Sequence, residues 1–187
     1  MAIDWMTATT TTSLVCSLLS CVGTAAALVY FGTSLSKGRI QIRTKLILHL
    51  LLAEWINSTN NSISGVWAMF SELVEGPACT ANGFIGQWST QAADLCTVLI
   101  AVVTFIALRT STKATFDGFM GKIDRHLNWI LFGVWAFPFL TASIGLGTVG
   151  YMPTGNWCWL KDAPRPLAVI MRYALLHAIR MVSFLNH

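Results

Sequence analysis

Long uncharged stretches alternate along this chain with short segments that hold most of its charge. Leu14–Leu35 contains no Asp, Glu, Lys or Arg. At about 1.5 Å per residue, a helix of that length reaches roughly 33 Å, enough to cross a hydrocarbon core of about 30 Å. A short basic loop follows, Ser36–Thr44, and then a second apolar segment, Leu46–Phe70. Glu72–Pro77 reads as an acidic turn, Cys79–Leu108 as a third segment and Arg109–His126 as a polar loop. Leu127–Gly150 is a fourth, aromatic-rich segment, Tyr151–Pro166 an irregular loop, and Leu167–His187 a fifth segment. The pattern predicts an all-α membrane protein. Its helices fall near 14–35, 46–70, 79–108, 127–150 and 167–187, after an extracellular stretch 1–13.

Composition strengthens this reading. The chain is 55% hydrophobic and 11% charged, against about a quarter charged in a soluble domain. Such a surface suits lipid, and the bilayer is the expected partner. The net charge of +4 does not point to nucleic acid, because the basic residues cluster at helix ends. Met1–Thr12 has no basic residue, and the apolar run continues past Ala25–Ala27, so the first segment is expected to be a retained helix and not a cleaved signal. The loops after segments one and three, together with Lys45 at the start of the second segment, hold eight of the twelve Lys and Arg residues. Cytoplasmic loops carry that excess, so the N-terminus is expected outside the cell, with the protein in the plasma membrane.

The polar residues inside the segments are the candidates for function. Glu54, Asn57, Ser58, Asn61 and Gly65 recur at steps of three and four, as do Gly83, Gln87, Gln91 and Asp94. Polar groups cannot face lipid unsatisfied, so these stripes look into a bundle or a wet cavity. Either they line a ligand site or switch, or the amides are glue between helices. The sequons at Asn57 and Asn60 lie inside a predicted helix and are not expected to carry glycans. Of the five cysteines, Cys16, Cys21 and Cys96 read as packing residues. Cys79 and Cys158 would both face an oxidising compartment, where a bridge would tie the outer loop over the bundle; the alternative is two unpaired thiols. Tyr151, Trp157 and Trp159 form either an interfacial aromatic belt or a lid. Arg172, Tyr173, His177 and Arg180 place charge on the fifth segment, where it needs partners. There is no metal-ligand spacing, phosphate loop or nucleophile elbow, so no cofactor and no enzymatic activity are expected.

Several ordered pieces together resemble a family. They are Leu51–Ile56, Cys79–Phe84 followed by Gln87, Ile100–Phe105, Gly155–Leu160 around Trp157-Cys158-Trp159, and Arg172–His177 followed by Arg180. They are similar to fungal receptors related to the slime-mould cyclic-AMP receptors and grouped with glucose-sensing receptors. Glu54 stands where that family often has Asp. The resemblance implies helices one to five of a seven-transmembrane G-protein-coupled receptor, truncated before helices six and seven. It also implies a small-molecule, nutrient or cyclic-nucleotide-like ligand and, for a full-length receptor, a heterotrimeric G protein as partner. Without a sixth helix, the chain ending at His187 is not expected to activate a G protein alone. The residues themselves also admit a small transporter or channel subunit, or a structural membrane subunit.

The charge asymmetry generates a direct test. An epitope inserted beside Lys113 should be reached by antibody only after cells are permeabilised. Labelling of intact cells would reverse the topology.

Overall fold

Backbone N–H and C=O groups surrounded by lipid must satisfy one another, which leaves the helix as the simplest spanning element. The structure is a computed structural model. It describes residues 5–35, 42–70, 75–109, 113–155 and 157–161. Helices α1 (Trp5–Leu35), α2 (Ile42–Met69), α3 (Pro77–Arg109) and α4 (Lys113–Thr148) are followed by strands β1 (Tyr151–Pro153) and β2 (Cys158–Leu160). Three of the helices are long and apolar enough to cross a membrane: α1, α3 and the Gly121–Thr148 part of α4. The fifth segment, with Arg172, Tyr173, His177 and Arg180, lies outside the described residues.

The helices begin earlier than their sequence reading, and two of these differences are long. The first helix starts at Trp5, not at Leu14, so the threonine-rich residues 7–12 of the stretch read as an extracellular lead are helical. Threonine hydroxyls can satisfy themselves on the preceding turn: Thr12 Oγ1 donates to Ala8 O at 2.8 Å, as Thr24 does to Ser20 O further along. The second difference is the polar stretch Arg109–His126. Helix α4 already begins at Lys113, leaving only residues 110–112 between it and α3. Within this polar turn Ile123 packs against the core, and Asp124 pairs with Lys45 of α2 at 3.4 Å. One face of the extension is therefore anchored despite its charge.

The core changes character along the helices. At the end bearing Lys45 and Asp124, Ile42, Leu46, Val103, Leu127 and Leu131 form an aliphatic cluster. Midway, the small residues Ala53, Ala92 and Ala93 let α2 and α3 approach closely, with Leu50 and Trp135 against them. Helix α1 packs on α2 in the same way: a Cβ added at Gly65 would lie 3.0 Å from Leu14 Cδ1. Pro138 interrupts the hydrogen-bond ladder of α4, yet it is buried, and Thr141 Oγ1 reaches back to its carbonyl at 2.9 Å.

The loop predicted as irregular is, over its first ten residues, a β-hairpin. Its strands pair antiparallel, with Tyr151 opposite Leu160, Met152 opposite Trp159 and Pro153 opposite Cys158. Alternation puts Tyr151, Cys158 and Leu160 on the buried face. Gly155 turns the chain with φ 99°, a conformation open to glycine, and Thr154 N donates to Trp157 O at 2.9 Å. The signal was period two over very short strands, which three loop prolines and two tryptophans obscured. Cys158 is bonded to Cys79 in the first turn of α3, with their Cα atoms 5.4 Å apart. Lys161 reaches Glu75 at 3.5 Å on the exposed rim.

Two glycines make the seat for this hairpin. A Cβ at Gly83 would lie 2.5 Å from Tyr151 Cδ1, and one at Gly145 would lie 2.8 Å from Leu160 Cδ2. Gly83→Ala is therefore expected to lower the thermal midpoint in detergent with the bridge intact. Gly23→Ala, where the new carbon meets nothing, should be neutral or raise stability by up to about 1 kcal/mol. Equal midpoints for the two variants would contradict the seat. Replacing Cys79 with Ser should cost more: closing a loop of 79 residues is worth up to about 4 kcal/mol in a chain-entropy model. Comparing oxidised and reduced protein in the same melt measures that difference.

Candidate functional site

Helix α3 is central to the bundle, touching α2, α4 and both strands. Its polar residues at the hairpin end therefore meet three different neighbours, and each meeting has its own chemistry.

Toward α2 the contact is a closed amide pair. Asn82 Nδ2 donates to Asn60 Oδ1 at 2.8 Å, and Asn60 Nδ2 donates to Asn82 O at 3.0 Å. Ser64 Oγ donates to Asn82 Oδ1 at 2.9 Å, or to the Asn60 carbonyl of its own helix. All three side chains are buried. These groups satisfy one another, so they act as glue between helices. Sequence reasoning passed over them: Asn60 drew notice only as a sequon, and the Asn60–Ser64 step of four opposite Asn82 was the available signal. With its amide enclosed, Asn60 offers no acceptor for a glycan.

Asn57 and Asn61 sit one turn to the side, half-buried. Asn57 Oδ1 accepts from Thr90 Oγ1 of α3 at 3.3 Å and from Asn61 Nδ2 at 3.4 Å. These bonds are long and shared, unlike the Asn60–Asn82 pair. Deeper in the bundle, Glu54 of α2 and Asp94 of α3 are both half-buried.

Toward α4 and the hairpin, two glutamines one turn apart each meet a hydroxyl that also faces an α4 carbonyl. Tyr151 Oη lies 2.9 Å from Gln87 Oε1 and 3.1 Å from Ala142 O. Thr141 Oγ1 contacts Gln91 Oε1 and the Pro138 carbonyl. A hydroxyl has one proton and serves one acceptor at a time. Burial raises the pKa of the Tyr151 phenol well above its usual value, so it keeps that proton at any physiological pH. Gln87 has no exposed surface, and its Nε2 has no hydrogen-bond partner in the protein. Turning the amide over would let nitrogen donate to Oη and free the phenol for Ala142, leaving oxygen as the end to be matched. An unmatched buried amide end costs about 1–3 kcal/mol.

An aromatic ladder flanks this polar column. Phe84 stacks edge-on against Phe139, which meets Trp88, which meets Trp135, at centroid separations of 5.5, 6.0 and 5.5 Å. Trp88 Nε1 donates to Trp135 O, and Trp135 Nε1 donates to His49 Nδ1, both at 3.0 Å. Neither His49 nor Trp135 stood out in the sequence, because single polar tips on apolar rings give no periodic signal. Of the two loop tryptophans, Trp159 is half-buried, with Cζ3 4.0 Å from a Cβ placed on Gly86. Trp157 is 40% exposed at the hairpin turn and does not join the column. The structure thus brings Gln87, Gln91, Tyr151 and Trp159 to one region, sets Asn57 and Asn61 beside it, and keeps Glu54 and Asp94 below it.

Comparison with known proteins places this arrangement. The family described as "G protein-coupled glucose receptor regulating Gpa2", Git3, matches residues 6–185. The ascaroside receptor GPR2 of Arthrobotrys oligospora is 30% identical over 174 residues, covering 89% of this chain and 41% of that receptor. The ascaroside receptor GPR3 of the same organism is 28% identical over 129 residues, covering 63% of this chain and 29% of that receptor. The chain therefore spans less than half the length of these curated relatives. The crystal structure of squid rhodopsin superposes with a TM-score of 0.70 at 17% identity, over 91% of this chain and 48% of that one, which shows the fold alone. With nearly its whole length matched, the chain belongs to the Git3 family of G protein-coupled glucose receptors.

Proposed function

We propose that the chain forms the ligand-sensing part of a receptor that takes a small, hydroxyl-bearing molecule beneath its β-hairpin and relays its presence to a heterotrimeric G protein. The observation that carries this reading is the buried amide of Gln87, which lacks a partner for Nε2 although the hairpin holds it fully enclosed. A ligand hydroxyl both donates and accepts, so it matches either orientation of that amide. Gln91, Asn57 and Asn61 supply further amides within the same polar region, and Trp159 supplies an apolar wall. Ligand sites commonly combine such a wall with a few convergent polar groups. The bridge between Cys79 and Cys158 holds the hairpin at this end of the bundle. The family's description names glucose, and two relatives are named for ascarosides, which agrees with a hydroxyl-bearing cue.

In this reading the N-terminus and the hairpin face the outside of the plasma membrane, and the end bearing Lys45, Asp124 and Arg109 faces the G protein. The chain supplies helices one to five of a seven-helix bundle. Arg172, Tyr173, His177 and Arg180, which lie outside the described residues, are assigned to the fifth helix by the sequence and are further ligand or switch candidates in this reading. Glu54 and Asp94, below the amides, form the switch that senses how α2 and α3 sit. Asn60, Asn82 and Ser64 hold those helices together and do not touch ligand.

Binding to the full chain tests this. Glucose and an ascaroside are the probes, and thermal stabilisation in detergent is the readout. At least one probe should raise the midpoint of the wild type. Gln87→Leu keeps the volume but removes the amide; it should fold and lose roughly 5- to 150-fold in affinity, the equivalent of about 1–3 kcal/mol left by one unmatched polar group. A wild type indifferent to both probes, or a Gln87→Leu variant that responds equally, would contradict the reading.

A further inference from the structure

The outward side of α4 carries a feature that ligand sensing does not use. Lys122, Arg125 and His126 are exposed, and the same side continues with Trp129 and Phe132, 74% and 65% exposed. Steps of three and four keep these residues in one stripe. The opposite side of the helix holds Leu127, Leu131 and Val134, all buried against the bundle. Among the described residues nothing covers the stripe, so where α4 crosses a bilayer this side is open to lipid.

Its order along the helix is that of a lipid molecule. The part of α4 long and apolar enough to cross a membrane begins at Gly121, so Lys122, Arg125 and His126 fall in its first turns, where long charged side chains reach the headgroups of a bilayer. Trp129 and Phe132 follow at the depth of the first acyl carbons, with their rings edge-to-face and centroids 6.3 Å apart. The nearby acid does not cancel these cations. Asp124 lies on the bundle side of α4 and is engaged by Lys45 of α2. Arg43 and Arg109 stand exposed at the same end of the bundle, and the Arg109 guanidinium lies 5.2 Å over the Phe105 ring. Among the described side chains at this end, Asp124 is the single acid against five Lys and Arg: Arg43, Lys45, Arg109, Lys122 and Arg125.

We propose that this stripe binds one phospholipid whose headgroup carries net negative charge. Lys122 and Arg125 hold the headgroup phosphate, and Trp129 and Phe132 support an acyl chain. Juxtamembrane cations attract anionic headgroups, and the arginine fork suits phosphate oxygens. Shape and charge are both needed: a free phosphate lacks the chain that the two rings would carry. The inference requires α4 to cross a bilayer. It does not require the chain to be a receptor, so it stands or falls apart from the proposed function.

The experiment reconstitutes the full chain into phosphatidylcholine nanodiscs containing a minor fraction of either brominated phosphatidylserine or brominated phosphatidylcholine. Bromine quenches tryptophan at short range, and subtracting the signal of Trp129→Phe isolates Trp129. Brominated phosphatidylserine should quench Trp129 with an apparent affinity on the order of tenfold higher than brominated phosphatidylcholine at low salt. The preference should shrink as salt is raised. Lys122→Gln combined with Arg125→Gln should abolish it, whereas Lys161→Gln at the other end should leave it intact. Inorganic phosphate at the same concentration should not compete. Equal quenching by the two lipids, a preference that survives the double substitution, or displacement by inorganic phosphate would each overturn the proposal.

Discussion

Asn60 and Asn82 exchange amide hydrogen bonds inside the bundle, and much of the arrangement at the hairpin end depends on that exchange. Two helices crossing lipid gain little from the hydrophobic effect, because lipid tails are as apolar as leucine. They need either close backbone approach or polar contacts that lipid cannot supply. Here both are present in sequence: Ala53, Ala92 and Ala93 bring α2 and α3 together midway, and the amide pair with Ser64 fixes their rotation and height toward the hairpin. Once α3 is set against α2, its next faces are determined. Gln87 and Gln91 turn toward α4 and the hairpin, and Gly83 presents a flat seat for Tyr151.

The hairpin is then held by three different kinds of constraint. The bridge from Cys158 to Cys79 limits how far it can leave, the glycines at 83 and 145 allow it to sit close, and the Tyr151 hydroxyl fixes where it sits. The polar contact is the least complete of the three. Tyr151 divides one proton between Gln87 and Ala142, while Gln87 keeps an amide end without a partner. A buried amide end without a partner is where a binding event has most to gain. The Asn60–Asn82 seam lacks that property, since its donors and acceptors are already matched.

The apolar runs made the spanning helices legible because composition and length alone decide them. Leu14–Leu35, Cys79–Leu108 and Leu127–Gly150 each fall largely inside a helix of the structure. What failed were segments whose state depends on a partner. Lys113–His126 is polar enough to read as a loop, and its helix rests on Ile123 packing and on Asp124 meeting Lys45 from another segment. The hairpin of three-residue strands gives too short an alternation to outvote Pro153 and the two prolines that follow it in the loop. In α2, spacing picked out Asn57 and Asn61, yet the deepest amide is Asn60. A helix touching two neighbours has two buried faces, so a single stripe is the wrong template for it. Gln87 and Gln91 were legible as polar positions, but their hydroxyl partners Tyr151 and Thr141 were not, because those contacts join residues 64 and 50 positions apart.

The account rests most directly on the amide pair, and a double-mutant cycle on the full chain measures it. Asn60→Ala, Asn82→Ala and the double variant would be compared with the wild type by reversible unfolding in detergent. Coupling between polar residues in membrane bundles averages about 0.6 kcal/mol and reaches about 1.7 kcal/mol. The cycle isolates the side-chain bond from Asn82 Nδ2 to Asn60 Oδ1, because Asn60 Nδ2 donates to the Asn82 backbone carbonyl, which alanine keeps; one buried bond predicts a coupling of about 0.5–1.7 kcal/mol. A coupling indistinguishable from zero would show that α2 and α3 are positioned by something else, and would remove the basis for how the hairpin and Gln87 are placed.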